Sequence, residues 1–528
     1  MNGTMNRRGF VSGAAVAAGT AAFAGATGVA FADDSMAPAN HQVADIVVVG
    51  EGMGGLATGV RALQNGVQNV TIVEVSKWIG GGSSFCAGAV HAYGMGKTRE
   101  DYLQNTRFQS ASDLALSSFL ATEGFMNWLV DLGLPVEMRE ASDEDVIYGG
   151  SAADLPSLWF VGNDGGYGVT ACEDFFVAFE NLFVEMGGTV LHGVSGRHVI
   201  MDGDGHVSGI ACVDADGNEL VIDTTQVVLA TGGWQNDDEL KSRFLGRDAW
   251  QAGVMGVPYN TGSGLKMAVE CGASLQGDFA NFAGNFLPAR PAKNWMEDVE
   301  NYETAGYNAE QGGKWWFNRT LLSIPAHAIL VNSDGKRFCD EGRFRHSFEG
   351  SIAQQKRATA HVICDAATWN DYLSADELEF LTSDAIGAAY FMGATIEELA
   401  DAMNASGIDT YEVHKGNLVK TVAEYNEAAT AGDGTVLDPV RAARPCVAIE
   451  EGPFYALPIR NAIFCTYGGV AIDEEARVLD GTHRPIAGLY ATSPCAGGMM
   501  HEFYAGSIAH AGVTGLWAAD AAAVALSA

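Results

Sequence analysis

Asp45-Ile46-Val47-Val48-Val49-Gly50-Glu51-Gly52-Met53-Gly54-Gly55 is the stretch that decides the fold. Its first five residues are short, apolar and mostly β-branched, the pattern of a strand buried in a parallel sheet. Leu56 to Asn65 follows with helical spacing, and Val70-Thr71-Ile72-Val73-Glu74 reads as a second buried strand. Strand, Gly-x-Gly-x-x-Gly, helix and strand, with an acid 24 residues after Gly50, form a β-α-β unit that binds a dinucleotide. Gly50 makes the tight turn, Gly52 lets the backbone approach a pyrophosphate, and Gly55 lets the helix pack on the strand. The helix N-terminus stabilises the phosphates, and Glu74 is placed for ribose hydroxyls. This motif alone does not separate NAD from FAD.

Composition bounds the rest. The chain has 528 residues, 30 Lys+Arg against 65 Asp+Glu, and a net charge of −35. Such acidity excludes a nucleic-acid partner, which needs clustered Lys and Arg to neutralise phosphates. It also opposes an anionic membrane surface. Hydrophobic residues make up 48% and the mean hydropathy is +0.06, so the chain is globular and long enough for two or more domains. The 66 Gly exceed the usual share of about 7% and imply many tight turns and close backbone approaches. The nine Cys are irregularly spaced and none forms C-x-x-C. Zinc ribbons, thioredoxin-type sites and c-type haem attachment are therefore unsupported, buried free thiols are expected, and no metal site is expected.

Asn6-Arg7-Arg8-Gly9-Phe10 precedes a weakly apolar Ala/Gly-rich stretch from Val11 to Val29, and Ala30-Phe31-Ala32 supplies a cleavage site. The layout is that of a signal peptide over residues 1–32, and the Arg pair resembles a twin-arginine signal; an ordinary secretory signal is the alternative. Residues 33–42 read as a short linker. No other run of about 20 apolar residues is read from the sequence, so the mature protein is expected outside the cytoplasmic membrane without spanning it.

Further signatures extend along the chain. Gly80-Gly81-Gly82-Ser83-Ser84-Phe85-Cys86-Ala87-Gly88 is a second glycine-rich loop. It resembles the segment that passes the isoalloxazine ring in flavoproteins. Val227-Val228-Leu229-Ala230-Thr231-Gly232-Gly233 and Gly488-Leu489-Tyr490-Ala491-Thr492, with Gly497-Gly498 beyond, resemble the later FAD signatures of glutathione-reductase-like flavoproteins. Asn260-Thr261-Gly262-Ser263-Gly264 and Asn332-Ser333-Asp334-Gly335-Lys336-Arg337-Phe338-Cys339-Asp340-Glu341 complete the series. The order of motifs resembles the flavoprotein family of soluble fumarate reductases, urocanate reductases and 3-ketosteroid dehydrogenases. The resemblance implies an α/β fold: a glutathione-reductase-like Rossmann FAD-binding domain in two parts, 43–274 and 446–528, with an inserted α+β capping domain at 275–445. The cap would include a helical part from Ile396 to Glu427. FAD would be held non-covalently by Gly50, Gly52, Gly54, Gly55, Glu74, Gly81, Gly82, Ser83, Ser84, Gly88, Val194, Thr231, Gly232, Gly233, Ser263, Gly497, Gly498, Ser507 and Ile508.

The same resemblance implies the chemistry: hydride transfer between flavin N5 and an activated C=C or CH–CH bond, with a second group moving a proton. Arg345, four residues after Glu341, falls where the fumarate reductases carry their proton-donating arginine and where the ketosteroid dehydrogenases carry Tyr. A surface or salt-bridging Arg345 is the alternative, because Arg343 lies close in register. The dicarboxylate clamp of fumarate reductase is largely missing. Cys465 replaces a His, Leu321 to Ile324 is apolar, and Tyr504 stands near the position of the clamping Arg. Fumarate is therefore not the expected substrate. Tyr504-Ala505-Gly506 resembles the Tyr-Ala-Gly of the ketosteroid dehydrogenases, whose Tyr helps to polarise a carbonyl; Tyr467 is a second candidate. His501 and Glu502 are placed for proton relay or for contact with flavin or substrate, and Arg290 for a substrate carboxylate; a structural His is the alternative at 501. The expected activity is thus an exported FAD-dependent enone or enoate reductase, with oxidative 3-ketosteroid-type dehydrogenation as the alternative. Without haem, iron–sulfur or a clear nicotinamide motif, electrons are expected from a separate membrane-associated donor.

Overall fold

Ile46–Val49 is buried at all four positions, because its uninterrupted β-branched run has no polar face to offer water. It lies in the middle of a six-stranded sheet of order Arg477–Leu479, Pro485–Ala491, Val227–Leu229, Ile46–Val49, Val70–Glu74, Thr189–His192. All neighbours pair in parallel except the Arg477–Leu479 edge. The computed structural model describes residues 40–86, 88, 100, 113–139, 158–162, 172–254, 256–289, 327–343, 349–373, 375–382, 389–501, 504 and 506–528.

The glycine helix Met53–Gln64 packs beside the last helix, Ser507–Ser527. Thr58 donates its hydroxyl to the carbonyls of Gly54 (2.7 Å) and Gly515 (3.1 Å), and Arg61 pairs with Asp520 at 2.7 Å. Ser507–Ser527 corrects one expectation: by length and composition it is apolar enough to cross a membrane. Its apolarity has another use, since 61% of that stretch is buried inside the protein, against the glycine helix and Asp113–Asp131.

A four-stranded sheet flanks the first, formed by the meander Ser195–Met201, Val207–Val213, Glu219–Asp223 together with Asn40–Val43. Asn40 to Gln42 were expected as the end of a linker. They form a strand instead, because their backbone pairs in parallel with Leu220 to Ile222.

The central part of the chain builds a third sheet around the 13-residue strand Phe454–Thr466. Thr359–Cys364, Phe282–Pro288 and Phe391–Gly393 pair with it antiparallel, and Ile329–Val331 extends the sheet. Leu457, Ile459 and Ala462 belong to one apolar core, whereas Ile463 and Cys465 join the core of the glycine-motif sheet. The strand thus carries the chain from one core into the other and delivers Cys465 to Val470 to the site. The expected helical part at 396–427 is two helices, Ile396–Ala405 and Lys415–Ala431. The first ends at Ser406 before a left-handed Gly407 (φ 65°), and the second starts where His414 accepts the Asn417 N–H at 3.1 Å.

Candidate functional site

One end of the site is made of backbone. The Gly50 N–H donates to the Val73 carbonyl at 2.8 Å. At φ +105° a side chain on Gly50 would be strained and would collide with the Ala230 carbonyl. The helix after it begins at Met53, with Gly52 as a cap that offers no side chain and no acid in its first turn. The Met53 N–H donates to Ser83 Oγ at 3.1 Å. A helix end left without acid carries partial positive charge toward an anion, so the pyrophosphate of FAD fits here. Glu74 is buried and accepts the backbone N–H groups of Glu51 (2.8 Å) and Ser76 (2.7 Å), one on each oxygen. Each oxygen keeps a further lone pair for a ribose hydroxyl. The Val194 N–H donates to the Glu74 carbonyl at 2.9 Å, which puts the two expected cofactor residues side by side.

The second loop closes over this end. Gly81–Phe85 forms a short 3-10 turn in which Ser84 donates to the Gly81 carbonyl at 2.9 Å. Gly81 and Gly82 lie in that turn, and Gly54 and Gly55 open the glycine helix. Gly88 packs against the Val161 carbonyl and Cys172. Thr231 accepts the Gly264 N–H at 3.1 Å, which ties the Thr231-Gly232-Gly233 turn to the helix that Ser263 begins. Gly232 and Gly233 face the side chains of Asn260 and Thr466. A side chain on Gly497 would strike the Gln276 carbonyl and the Gly469 backbone, so the close approach of protein backbone also requires glycine there.

The other end is made of side chains. Tyr504 is half-buried, and its hydroxyl accepts the Ser507 N–H at 3.1 Å and lies 3.2 Å from Ser507 Oγ. Its ring meets Phe464 edge-on at 5.2 Å. Burial, reinforced by Cys465, pushes the Tyr504 phenol well above its ordinary value, so it stays protonated. Burial likewise pushes the Cys465 thiol up to about 12. Gly506 caps the last helix without a side chain, and Ile508 is buried in its first turn. Tyr467 is only 1% exposed and sits in the main core. Beneath it, Trp234 donates its indole N–H to the Gly468 carbonyl at 2.8 Å and stacks on Phe279. His501 Nε2 lies 3.8 Å from Asp278 Oδ2. Arg345, Arg290 and Glu502 lie outside the described residues.

The Asn332–Glu341 motif acts just ahead of Arg345. Arg337 grips Glu341 with both ends of its guanidinium fork, at 2.8 and 2.6 Å, and both groups are buried. Arg441 adds a contact at 3.6 Å, and Tyr425 lies under both arginines. A buried pair of this geometry fixes the turn from Arg337 to Glu341.

Sequence reasoning missed Glu51. This second residue of the glycine turn is 0% exposed, and its side chain meets Glu180 and His192. Burial first, then Glu180 and Glu74, push its carboxyl up to about 10. Only the oddity of an acid inside the phosphate turn signalled it, since its partners lie more than a hundred residues away.

Against known families, residues 45–508 match the one described as FAD binding domain. The chain is 26% identical over 504 residues to vinyl phenol reductase of Lactiplantibacillus plantarum, covering 89% of this chain and 93% of that one. It is also 26% identical to a fumarate reductase (cytochrome) of Shewanella frigidimarina, covering 88% of this chain and 74% of that one. Among solved structures, 3-ketosteroid Δ1-dehydrogenase of Sterolibacterium denitrificans shares the fold with a TM-score of 0.66 at 18% identity, covering 92% of this chain and all of that one.

Proposed function

The chain belongs to the FAD binding domain family, and we propose that within it the protein is a reductase of an activated C=C bond in an enone or enoate, not in fumarate. One observation carries this reading: no Lys or Arg follows Arg484, although the chain from Pro485 to Ala528 supplies Tyr504 and the last helix. A dicarboxylate needs charge-assisted donors on both carboxylates. The Tyr504 phenol with the Phe464 ring edge-on to it suits a conjugated, less charged molecule. Vinyl phenol reductase, a relative over nearly its whole length, acts by its name on a C=C bond conjugated to a phenol ring.

FAD, held at the glycine turn and Glu74, would supply hydride chemistry at the far carbon of the C=C bond. Tyr504 donates its hydroxyl hydrogen to the substrate carbonyl oxygen and stabilises the enolate-like charge that develops there. Arg345 delivers the proton to the neighbouring carbon. The twin-arginine signal sends the folded protein out of the cytoplasm, where a separate membrane-associated donor supplies electrons. Tyr504 also supports a second reading, oxidation of a saturated ketone to the enone. Turnover of a saturated ketone with a dye acceptor, but none of enones with reduced dye, would select it.

The test is oxidation of reduced methyl viologen over a panel of enones, enoates and vinyl phenols. Arg345→Lys should lower turnover by about a hundredfold or more while bound FAD is retained. Silence of the wild type over the whole panel would sink the reductase reading. Unchanged turnover in the variant would move the proton donor elsewhere.

A further inference from the structure

Glu51, Glu180 and His192 come from three different elements: the glycine turn, the helix Glu173–Glu185 and the end of the strand Thr189–His192. One ligand atom from each lies within 4.8 Å of the other two. His192 Nε2 is 3.2 Å from Glu180 Oε2, and His192 Nδ1 is 3.7 Å from Glu51 Oε2. Glu51 is fully buried, and among the described residues neither of its carboxylate oxygens has a hydrogen-bond partner. A buried polar group without partners is costly and calls for an explanation.

Charge sharpens the question. Glu74 sits opposite His192 in the parallel register of the two strands and bonds the Glu51 N–H through its carboxylate. Glu51 and Glu180 therefore face the two nitrogens of one imidazole, next to a turn built to receive a pyrophosphate. Two carboxylate oxygens with one imidazole nitrogen form a ligand set suited to a divalent cation such as Zn²⁺. With bonds of about 2.0–2.1 Å to nitrogen and about 2.0–2.2 Å to oxygen, the ion would take one His192 nitrogen together with the two carboxylate oxygens that lie within 4.8 Å of it. Glu180 is partly exposed and His192 about one-third so, which leaves an entry path and an open position for water.

We propose that Glu51, Glu180 and His192 bind one Zn²⁺ ion, which clamps the glycine turn to the neighbouring helix and strand. The ion does no redox chemistry. It gives the Glu51 carboxylate the partner it otherwise lacks and holds the turn in the shape that receives the cofactor phosphates. The proposal uses the cofactor turn but not the choice of substrate or direction, and metal uptake is read separately from flavin absorbance.

The FAD-loaded protein, stripped with a chelator and dialysed, is titrated with zinc chloride by calorimetry and followed by thermal unfolding. One equivalent should bind and raise the unfolding midpoint by several degrees. Glu180→Gln and His192→Asn should each weaken zinc binding by at least about tenfold, with the circular dichroism spectrum unchanged. Absence of stoichiometric uptake by the wild type would overturn the proposal and leave a proton shared between Glu51 and Glu180 as the resolution of the cluster. Uptake that neither variant weakens would also overturn it, because the ion would then sit elsewhere. If a variant fails to fold, mass-spectrometric metal content of the chelator-treated and zinc-reloaded wild type decides between the first two outcomes.

Discussion

The glycine end and the tyrosine end of this site are built from different materials. At the first, the groups that shape the site are backbone: the Gly50 turn, the side-chain-free Gly52 cap and the Val194 N–H bonded to the Glu74 carbonyl. At the second they are the hydroxyl of Tyr504 and the side chains around it, on the strand Phe454–Thr466 and the helix Ser507–Ser527. Backbone sites depend on where a side chain is forbidden, whereas side-chain sites depend on which one is present and what surrounds it. The first kind tolerates no bulk and the second tolerates no change of function.

The harshest way to break this comparison is at the glycine turn. Gly50→Val should abolish FAD loading, because the new side chain meets the Ala230 carbonyl at a backbone angle of +105° that valine avoids. The purified variant should lack flavin absorbance near 450 nm. A full flavin content would mean that the turn has slack, and the distinction between the two ends would fail. The equivalent change at the tyrosine end is milder. Tyr504→Phe keeps the ring against Phe464 and removes only the hydroxyl, so FAD should remain bound. Turnover should fall by about a hundredfold, the usual cost of one donor to a developing oxyanion. An unchanged rate with unchanged KM would show that Tyr504 only caps the Ser507 N–H, as its 3.1 Å contact already does.

The same contrast explains what could be read from the sequence. Ile46–Val49, the glycine turn, Glu74 and the strand Val227–Leu229 were legible because spacing and apolarity encode a parallel sheet and a phosphate turn directly. The Arg337–Glu341 pair was legible as a motif but not as a buried ion pair, since a spacing of four does not reveal that both groups are out of water. Gly497 was read from its motif alone, whereas its close approach to Gln276 and to the Gly469 backbone depends on residues that the motif does not contain. Asn40 to Gln42 gave no apolar signal, because their strand is stabilised by hydrogen bonds at a sheet edge. The helix Ser507–Ser527 entered the sequence reading only through Ser507 and Ile508, and its packing on the glycine helix could not be seen. The convergence of Glu51, Glu180 and His192 had no local pattern at all.

The smallest effect tests whether the two ends are coupled. His510 lies one turn beyond Ser507 on the last helix, fully buried, with Nδ1 2.7 Å from Ser118 Oγ. Burial lowers it from 6.5 to about 4, and His361 in the cap sheet is lowered to about 4 in the same way. A lowered histidine takes up its proton more readily when the chain is unfolded. Its penalty is therefore absent above about 6.5, grows as the pH falls, and is complete below about 4. Each histidine should cost about 3 kcal/mol of stability across that window. His510→Asn removes one of the two, so denaturation curves from pH 7 to pH 4 should fall less steeply than those of the wild type. Parallel curves would mean that His510 is not held neutral by the core. Because its helix packs on the glycine helix and also carries Ser507, acid should release FAD and abolish turnover together in the wild type. Loss of turnover a full pH unit before loss of flavin would show that the tyrosine end opens by itself, and that the two ends are independent in stability as well as in kind.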